Sequence, residues 1–170
     1  GEGLATRIYW IIADAGTIVF SFGNQPVDQD RLRLAASIYE LSPGQQRDLE
    51  RAVRDYGFVG AHLYPHWCGL APDHAKYYPY YAKCCELDVP IMMQVGHNLV
   101  YSRERRLPSV GRPICLDQVA IDFPELRLIG IHIGVPWTDE MISMCWKHEN
   151  VFTAGDAYAP KHWPEAFIHY

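Results

Sequence analysis

The feature that most constrains this fold is a regular alternation of strand-like and helix-like segments, which begins near residue 32 and continues to residue 155. Short apolar runs alternate with amphipathic segments, and Pro, Gly and polar residues separate them. Such alternation predicts βαβ units and a parallel sheet. Two architectures stay open on this pattern alone, a (β/α) barrel and an open doubly wound sheet. No GxGxxG or GxxxxGK[ST] motif follows a strand, which disfavours a nucleotide-binding sheet.

The regular part of the chain predicts strands over 32–39, 59–64, 90–96, 126–134 and 151–155. Ser42 is the predicted N-cap of the first helix, Pro43 is its first residue, and Gly57 ends it. Later helices are predicted over 79–87 and 115–122, and Thr138 is the predicted cap of the last one. These lengths are typical of α/β domains.

The first thirty residues are less regular. Strands are predicted over 8–12 and 17–22, but few residues separate Phe22 from the strand that begins at Leu32. A parallel connection would need a crossover helix in that gap. Either these strands pair antiparallel, or a helix is missing.

Composition narrows the class of protein. The chain has 170 residues, a net charge of −5 and scattered basic residues, which disfavours a nucleic-acid partner and suits a soluble cytosolic protein. Its five cysteines form no CxxC pair, so we expect reduced thiols rather than a disulfide framework. No apolar run approaches the ~20 residues of a membrane helix. We therefore expect a cytoplasmic protein that needs no membrane.

Ligands bind at the carboxyl ends of parallel strands in both architectures, so polar residues at the strand ends are candidate site residues. In the strand over 59–64, alternation places His62 and Tyr64 on the face that points into a barrel. Both are candidates for substrate binding, and His66 follows in the loop. A core histidine bonded to a backbone carbonyl is the alternative for His62 and His66.

The next strand offers Gln94 and His97. Gln94 shares a face with Met92 and Gly96, and a buried glutamine must find hydrogen-bonding partners. His97 follows the strand directly and is a candidate for binding a metal or a substrate. A helix cap or a solvent-facing position is the alternative for His97.

The strand over 126–134 contains the strongest candidate, His132. Alternation places His132 on one face with Leu128 and Gly130, and Gly130 is expected to leave room beside it. The opposite, apolar face comprises Ile129, Ile131 and Ile133. Asp156 follows the strand over 151–155 and is the second catalytic candidate, with a helix N-cap as the alternative.

Four segments together resemble the amidohydrolase-related family, which includes aminocarboxymuconate-semialdehyde decarboxylase and γ-resorcylate decarboxylase. They are DYGFVGAHLYPHW (Asp55 to Trp67), YYPYYAKCCELDVPIMMQVGH (Tyr77 to His97), RPICLDQVAIDFPELRLIGIHIGVPW (Arg112 to Trp137) and WKHENVFTAGD (Trp146 to Asp156). The similarity runs from about Asp30 to the C-terminus. Its strongest part is LDQVAIDFPELRLIGIHIG.

The resemblance implies a (β/α) barrel with one divalent metal, zinc or manganese. Members of the family take ligands from an HxH pair on the first strand, a His on the fifth and an Asp on the eighth, and a sixth-strand His assists the chemistry. His132 matches the sixth-strand His. Gln94 stands where the family has its fifth-strand ligand, which makes Gln94 the candidate metal ligand of this chain.

The chain departs from the family pattern at both ends. It contains no HxH, and the eighth-strand motif is absent because GDAYAP at Gly155 belongs to the seventh strand. We therefore expect a partial TIM barrel of about strands two to seven, a single domain over 1–170 that is incomplete at both ends. Its open sheet edges make a homo-oligomer possible.

The resemblance implies a metal-dependent hydrolase or carboxy-lyase that acts on a small carboxylated substrate. Decarboxylation, hydrolysis and hydration of a double bond all stay open, and the Arg-containing loop over 103–112 is a candidate receptor for a substrate carboxylate. One alternative is a catalytically inactive fragment or a barrel-like protein without metal. Another is a doubly wound binding protein in which His132 and Gln94 are structural.

Overall fold

The computed structural model describes residues 9–14, 17–22, 33–38, 40–98, 106–156 and 158–170. Seven strands form one sheet, in which each strand lies beside its neighbours in the sequence. The strands are β1 (Tyr9–Asp14), β2 (Thr17–Phe22), β3 (Arg33–Ile38), β4 (Gly60–Leu63), β5 (Ile91–Gln94), β6 (Leu128–Ile131) and β7 (Val151–Ala154). The helices are α1 (Pro43–Arg54), α2 (Pro65–Cys68), α3 (Tyr78–Glu86), α4 (Leu116–Asp122), α5 (Thr138–Lys147) and α6 (Glu165–His169).

The pairing of the strands decides between the architectures. Strands β3 to β7 are parallel, whereas β1, β2 and β3 form an antiparallel meander. The antiparallel alternative for the N-terminal strands is therefore confirmed. A doubly wound sheet reverses its strand order at a switch point, but this order runs on without reversal, as in a (β/α) barrel. The doubly wound alternative is wrong. Over the described ranges β1 and β7 do not pair, so these strands form one arc of a barrel.

Local hydrogen bonds and turn residues set both ends of helix α1. The Ser42 side chain accepts a hydrogen bond from the Gln45 backbone N–H at 3.2 Å, and Pro43 occupies the first turn. After the helix, Gly57 takes a φ of +70° and its N–H donates to the Val53 carbonyl at 3.2 Å. The predicted start and stop signals are confirmed.

The main core lies between the parallel strands and the helices. Leu63, Ile91, Met93 and Leu128 are fully buried on the outer face of the sheet against Tyr77, Tyr81, Val119 and Met141. Each of the large side chains contributes about 2 kcal/mol by leaving water. A second, smaller cluster of Ala35, Met92 and Ile131 covers the opposite, interior face.

The exit of β6 differs from the prediction. The strand ends at Ile131 because His132 and Ile133 take φ values of +71° and +58°, which start a short 3-10 turn. Gly130 does not leave room for His132: it faces the helices, and a Cβ there would lie 3.0 Å from Cε of Met141. That expectation is wrong because the left-handed backbone turns His132 toward the interior face, where it meets Gln94.

The predicted cap of α5 is also wrong. Trp137 occupies the N-cap position, and Thr138 is the first helical residue. The Thr138 hydroxyl is buried without a hydrogen-bonding partner in the described part of the chain. Asp139 and Glu140 do lie in the first turn, where they complement the helix dipole.

Candidate active site

Four predicted site residues lie at the carboxyl ends of four adjacent parallel strands. His62 lies in β4, Gln94 ends β5, His132 follows β6 and Asp156 follows β7. The register pairs Gln94 with Ile131 and Ile131 with Ala154, so the exits of β5, β6 and β7 are level. This shared edge brings together side chains that are far apart in the sequence.

His132 and Asp156 form a short contact between an imidazole and a carboxylate. Nε2 of His132 lies 2.6 Å from Oδ2 of Asp156, and the two side chains are 17% and 6% exposed. Both residues have positive φ, +71° and +48°, a conformation that costs of order 1–3 kcal/mol for residues with a Cβ. The surrounding structure holds this backbone, and the histidine and the carboxylate meet as a result.

Gln94 also contacts the His132 ring. Its amide nitrogen lies 2.6 Å from Nδ1 and 3.2 Å from Nε2 of His132. Because this nitrogen is close to both ring nitrogens at once, it does not lie along the lone pair of Nδ1. With Asp156 accepting from Nε2–H, Nδ1 is the ring nitrogen that carries the lone pair.

His62 is an interior imidazole close to this pair. Burial lowers the pKa of His62 to about 4, Asp156 raises it and His132 lowers it. The imidazole is therefore neutral near pH 7. The register pairs His62 with Met92, whose side chain lies on the interior face, so His62 faces the interior as the alternation of β4 predicted.

His97 reaches the cluster through a residue that sequence reasoning missed, Tyr158. Nε2 of His97 lies 3.1 Å from the Tyr158 hydroxyl, and the Tyr158 ring meets the His132 ring edge-on with centroids 5.9 Å apart. The signal in the sequence was the run GDAYAP, in which Tyr158 follows Asp156 by two residues.

Tyr64 lies apart from this cluster. Its hydroxyl donates to Oδ1 of Asn98 at 2.6 Å, its ring packs against His66 and Trp67, and burial raises its pKa to about 12. These contacts tie the exit of β4 to the segment after β5. A role for Tyr64 in substrate binding stays a prediction.

His66 is buried and holds the loop that returns after β5. Its Nδ1 lies 3.1 Å from the backbone nitrogen of Val110 and 3.1 Å from the carbonyl oxygen of Pro108. Nε2 of His66 has no partner among the described residues. Burial lowers the pKa of His66. The structure supports the structural alternative for this residue, because its one bonded nitrogen serves the backbone.

Arg112 is engaged elsewhere. Its guanidinium pairs with Glu140 and stacks over the Trp137 ring at 5.1 Å from the centroid. Glu140 occupies the Nε and Nη2 donors of this guanidinium, so the expectation for the Arg-containing loop is not supported at Arg112. Residues 103–105 of that loop lie outside the described residues.

The described residues do not by themselves fit a divalent metal. No group of three His, Cys, Asp or Glu side chains that could hold an ion occurs within the described ranges. Gln94, the predicted ligand, directs its amide nitrogen at His132. Its assignment as a metal ligand stays a prediction.

Comparisons with known proteins give the same family as the sequence motifs. The model of a family described as amidohydrolase matches residues 24–170. An uncharacterised TIM-barrel protein from Bordetella bronchiseptica is 24% identical, and the match covers 81% of this chain and 47% of that chain with a TM-score of 0.65. This likeness shows the fold. No curated protein matches the chain.

Two solved enzymes match less well. The 4-oxalomesaconate hydratase of Rhodopseudomonas palustris is 26% identical, with 71% of this chain and 43% of that chain covered and a TM-score of 0.45. A dihydroxybenzoic acid decarboxylase from a Polaromonas species, solved with manganese and 2-nitroresorcinol, is 24% identical, with 66% and 40% covered and a TM-score of 0.43. The chain spans less than half the length of each of these three structures.

None of the helices described in this chain is long and apolar enough to cross a membrane.

Proposed function

Because the chain belongs to the amidohydrolase family, we propose that it acts as a hydrolase or carboxy-lyase on a small carboxylated substrate, with His132 transferring the proton. The observation that carries this proposal is the 2.6 Å contact between His132 and Asp156 at the carboxyl ends of β6 and β7. A histidine oriented by a buried carboxylate is the usual arrangement for general acid–base catalysis.

The atom that transfers the proton follows from the two partners of the ring. Asp156 holds Nε2 through a short bond to a carboxylate, which is the stronger interaction. Gln94 contacts the ring through a neutral amide whose nitrogen is off the axis of the Nδ1 lone pair, so this lone pair stays available to a substrate. Nδ1 of His132 is therefore the proton-transferring atom, and Asp156 orients the ring and stabilises the imidazolium.

Decarboxylation and hydrolysis use the same atom in different ways. In decarboxylation, the carbon–carboxylate bond breaks, carbon dioxide leaves, and the electron pair left on carbon takes the proton from Nδ1 of the imidazolium. In hydrolysis, Nδ1 of the neutral ring accepts a proton from the attacking water and returns it to the leaving group. His62, Tyr64 and His97 are the proposed substrate-binding residues.

Other parts of the proposal have separate support. Zinc or manganese as the cofactor, Gln94 as its ligand and a single domain over 1–170 come from the resemblance and the family match over residues 24–170. A cytoplasmic location follows from the composition and charge of the chain, and a homo-oligomer from its open sheet edges.

The test is turnover of small aromatic and aliphatic carboxylic acids, esters and lactones in D₂O, followed by proton NMR. Decarboxylation would place deuterium on the carbon that loses carbon dioxide. We expect His132→Asn to lower the rate by about 10²–10⁴-fold, and Asp156→Asn to lower it as well. The control His169→Asn removes an imidazole that is 74% exposed on α6, and its rate should equal that of the parent.

Two outcomes would count against the proposal. Equal turnover by the parent and His132→Asn would show that His132 does not take part in the reaction. Binding of the carboxylic acids without turnover of any compound would favour the alternative of a non-catalytic binding protein.

A further inference from the structure

We propose that His97 and Tyr158 form a second polar pair, the His97–Tyr158 pair, that binds a carboxylate of the ligand beside His132. The proposal deepens the function proposed above, since it rests on the same site and assigns the recognition of the carboxylate to two residues. The observation that carries it is the 3.1 Å contact between Nε2 of His97 and the Tyr158 hydroxyl, next to the His132 ring.

The pair lies across the exit of β6. His97 follows β5 and Tyr158 follows β7, the two strands that flank β6 in the sheet. Their contact therefore spans the strand end that presents His132. A ligand that contacts the His132 ring beside Tyr158 therefore also meets this pair.

Backbone contacts hold both members of the pair in place. The His97 N–H donates to the Val135 carbonyl at 2.7 Å, and the Tyr158 N–H donates to the Gly155 carbonyl at 3.0 Å. Nε1 of Trp163 donates to the Tyr158 carbonyl at 2.7 Å. The Trp163 ring also covers Gly155, where a Cβ would lie 2.6 Å from Cζ2. The polar groups are thus preorganised rather than carried on free loops.

The contact within the pair leaves hydrogen-bonding capacity for a ligand. A tyrosine hydroxyl has one donor and two acceptor sites, and His97 uses one of them. When Nε2–H of His97 donates to the hydroxyl oxygen, the hydroxyl hydrogen is available to an external acceptor. The histidine then strengthens that donor by polarising the hydroxyl.

The donor that this pair offers indicates the class of ligand. The Tyr158 hydroxyl lies beside the His132 ring, and its hydrogen is available when His97 donates to its oxygen. The carboxylate of Asp156 already accepts from His132. The group that complements the hydroxyl donor is an anionic oxygen, which in the proposed function is the carboxylate of the substrate.

The test measures binding of benzoate as the anionic probe and benzamide as its neutral isostere, by NMR on the chain labelled with ¹⁵N at histidine. We expect benzoate to shift the ring signals of His97 and to bind about tenfold or more weakly to Tyr158→Phe, which removes only the hydroxyl. His97→Gln should weaken benzoate binding similarly. The double variant should be little worse than either single variant, because the two residues act as one unit.

The matched control is Tyr78→Phe, which removes a hydroxyl that donates to Asp122 on the exposed surface of α3. It should leave benzoate binding unchanged. The proposal is overturned if benzoate does not bind the parent, if it binds Tyr158→Phe as tightly as the parent, or if benzamide loses as much affinity as benzoate. Circular dichroism checks the fold of each variant, and His97→Gln gives the result if Tyr158→Phe does not fold.

The failure of this proposal is distinguishable from failure of the proposed function. Turnover that depends on His132, with kcat and KM unchanged in Tyr158→Phe, would overturn the pair and leave the function standing. Benzoate binding that depends on the His97–Tyr158 pair, with no turnover of any substrate, would support the pair and overturn the proposed function.

Discussion

At the scale of single residues, backbone conformation decides where the chemistry lies. His132 and Asp156 both adopt positive φ within two residues of a strand end, and their side chains meet at 2.6 Å. Simple alternation along β6 would have placed His132 on the same face as Gly130, toward the helices. The left-handed turn reverses that direction, so the site depends on a conformation that no periodic pattern encodes.

A prediction at this scale concerns His62 and pH. Its pKa is lowered to about 4 by burial, whereas in the unfolded chain the imidazole titrates at about 6.5. Above the pKa of the unfolded chain the imidazole is neutral in both the folded and the unfolded state, so protonation of His62 does not lower the free energy of unfolding there. As pH falls toward 4 the unfolded state takes up the proton first, so the free energy of unfolding should fall by about 3 kcal/mol.

The measurement is urea denaturation of the parent and of His62→Gln at pH 7 and pH 4.5. The variant should lose clearly less stability than the parent between the two pH values, because it has no buried imidazole to protonate. His169→Gln, a change at an exposed histidine, should keep the slope of the parent. An equal slope for His62→Gln and the parent would show that His62 is not held neutral by the fold.

At the scale of elements, the connections between strands and helices carry the specific contacts. Asn150 illustrates this at the start of β7. Its side-chain nitrogen lies within hydrogen-bonding distance of the carbonyls of Ala120, Phe123 and Leu126, at 3.4, 3.1 and 3.0 Å. One amide thus ties the end of α4 and the entry to β6 onto the strand that leads to Asp156.

The corresponding prediction is for Asn150→Asp. A carboxylate has the same shape but no donor at neutral pH, so it leaves carbonyls unpaired and faces them with negative charge. We expect a loss of about 2–4 kcal/mol in the free energy of unfolding, measured by urea denaturation at pH 7. The control Glu149→Gln changes the charge of the adjacent exposed residue and should stay within about 0.5 kcal/mol of the parent. A similar small effect for Asn150→Asp would show that these three contacts add little.

At the scale of the whole molecule, stability is concentrated in the middle of the sheet. Strands β4, β5 and β6 each have a parallel neighbour on both sides, and Leu63, Ile91, Met93 and Leu128 in these strands are fully buried. Helix α6 has no buried residue. The free energy needed to open the backbone locally should therefore be highest in the central strands.

Hydrogen exchange followed by mass spectrometry measures this directly. We expect the slowest exchange in peptides that cover β4, β5 and β6, and exchange near the unprotected rate in α6. Protection in α6 equal to that in β5 would contradict this distribution of stability.

The candidate site could be predicted in part, and particular residues show why. His62 and Gln94 follow from strand alternation, since period-two patterning fixes which face a side chain takes within a strand. His132 and Asp156 were found as residues at strand ends, but their contact depends on left-handed turns. Tyr158 was missed because its place beside His97 and His132 comes from the register of three strands and from Trp163, which lies beyond them in the sequence.

The sequence by itself determined the alternation of strands and helices, the cap of α1 at Ser42 and the antiparallel or helix-deficient start of the chain. These follow from local forces: side-chain periodicity, capping hydrogen bonds and loop length. Only the tertiary structure decided the sequential order of the strands, the face that His132 takes and the union of Gln94, His132 and Asp156. Those features depend on contacts between residues distant in the sequence, whose free energies exist only once the strands have paired and the core has closed.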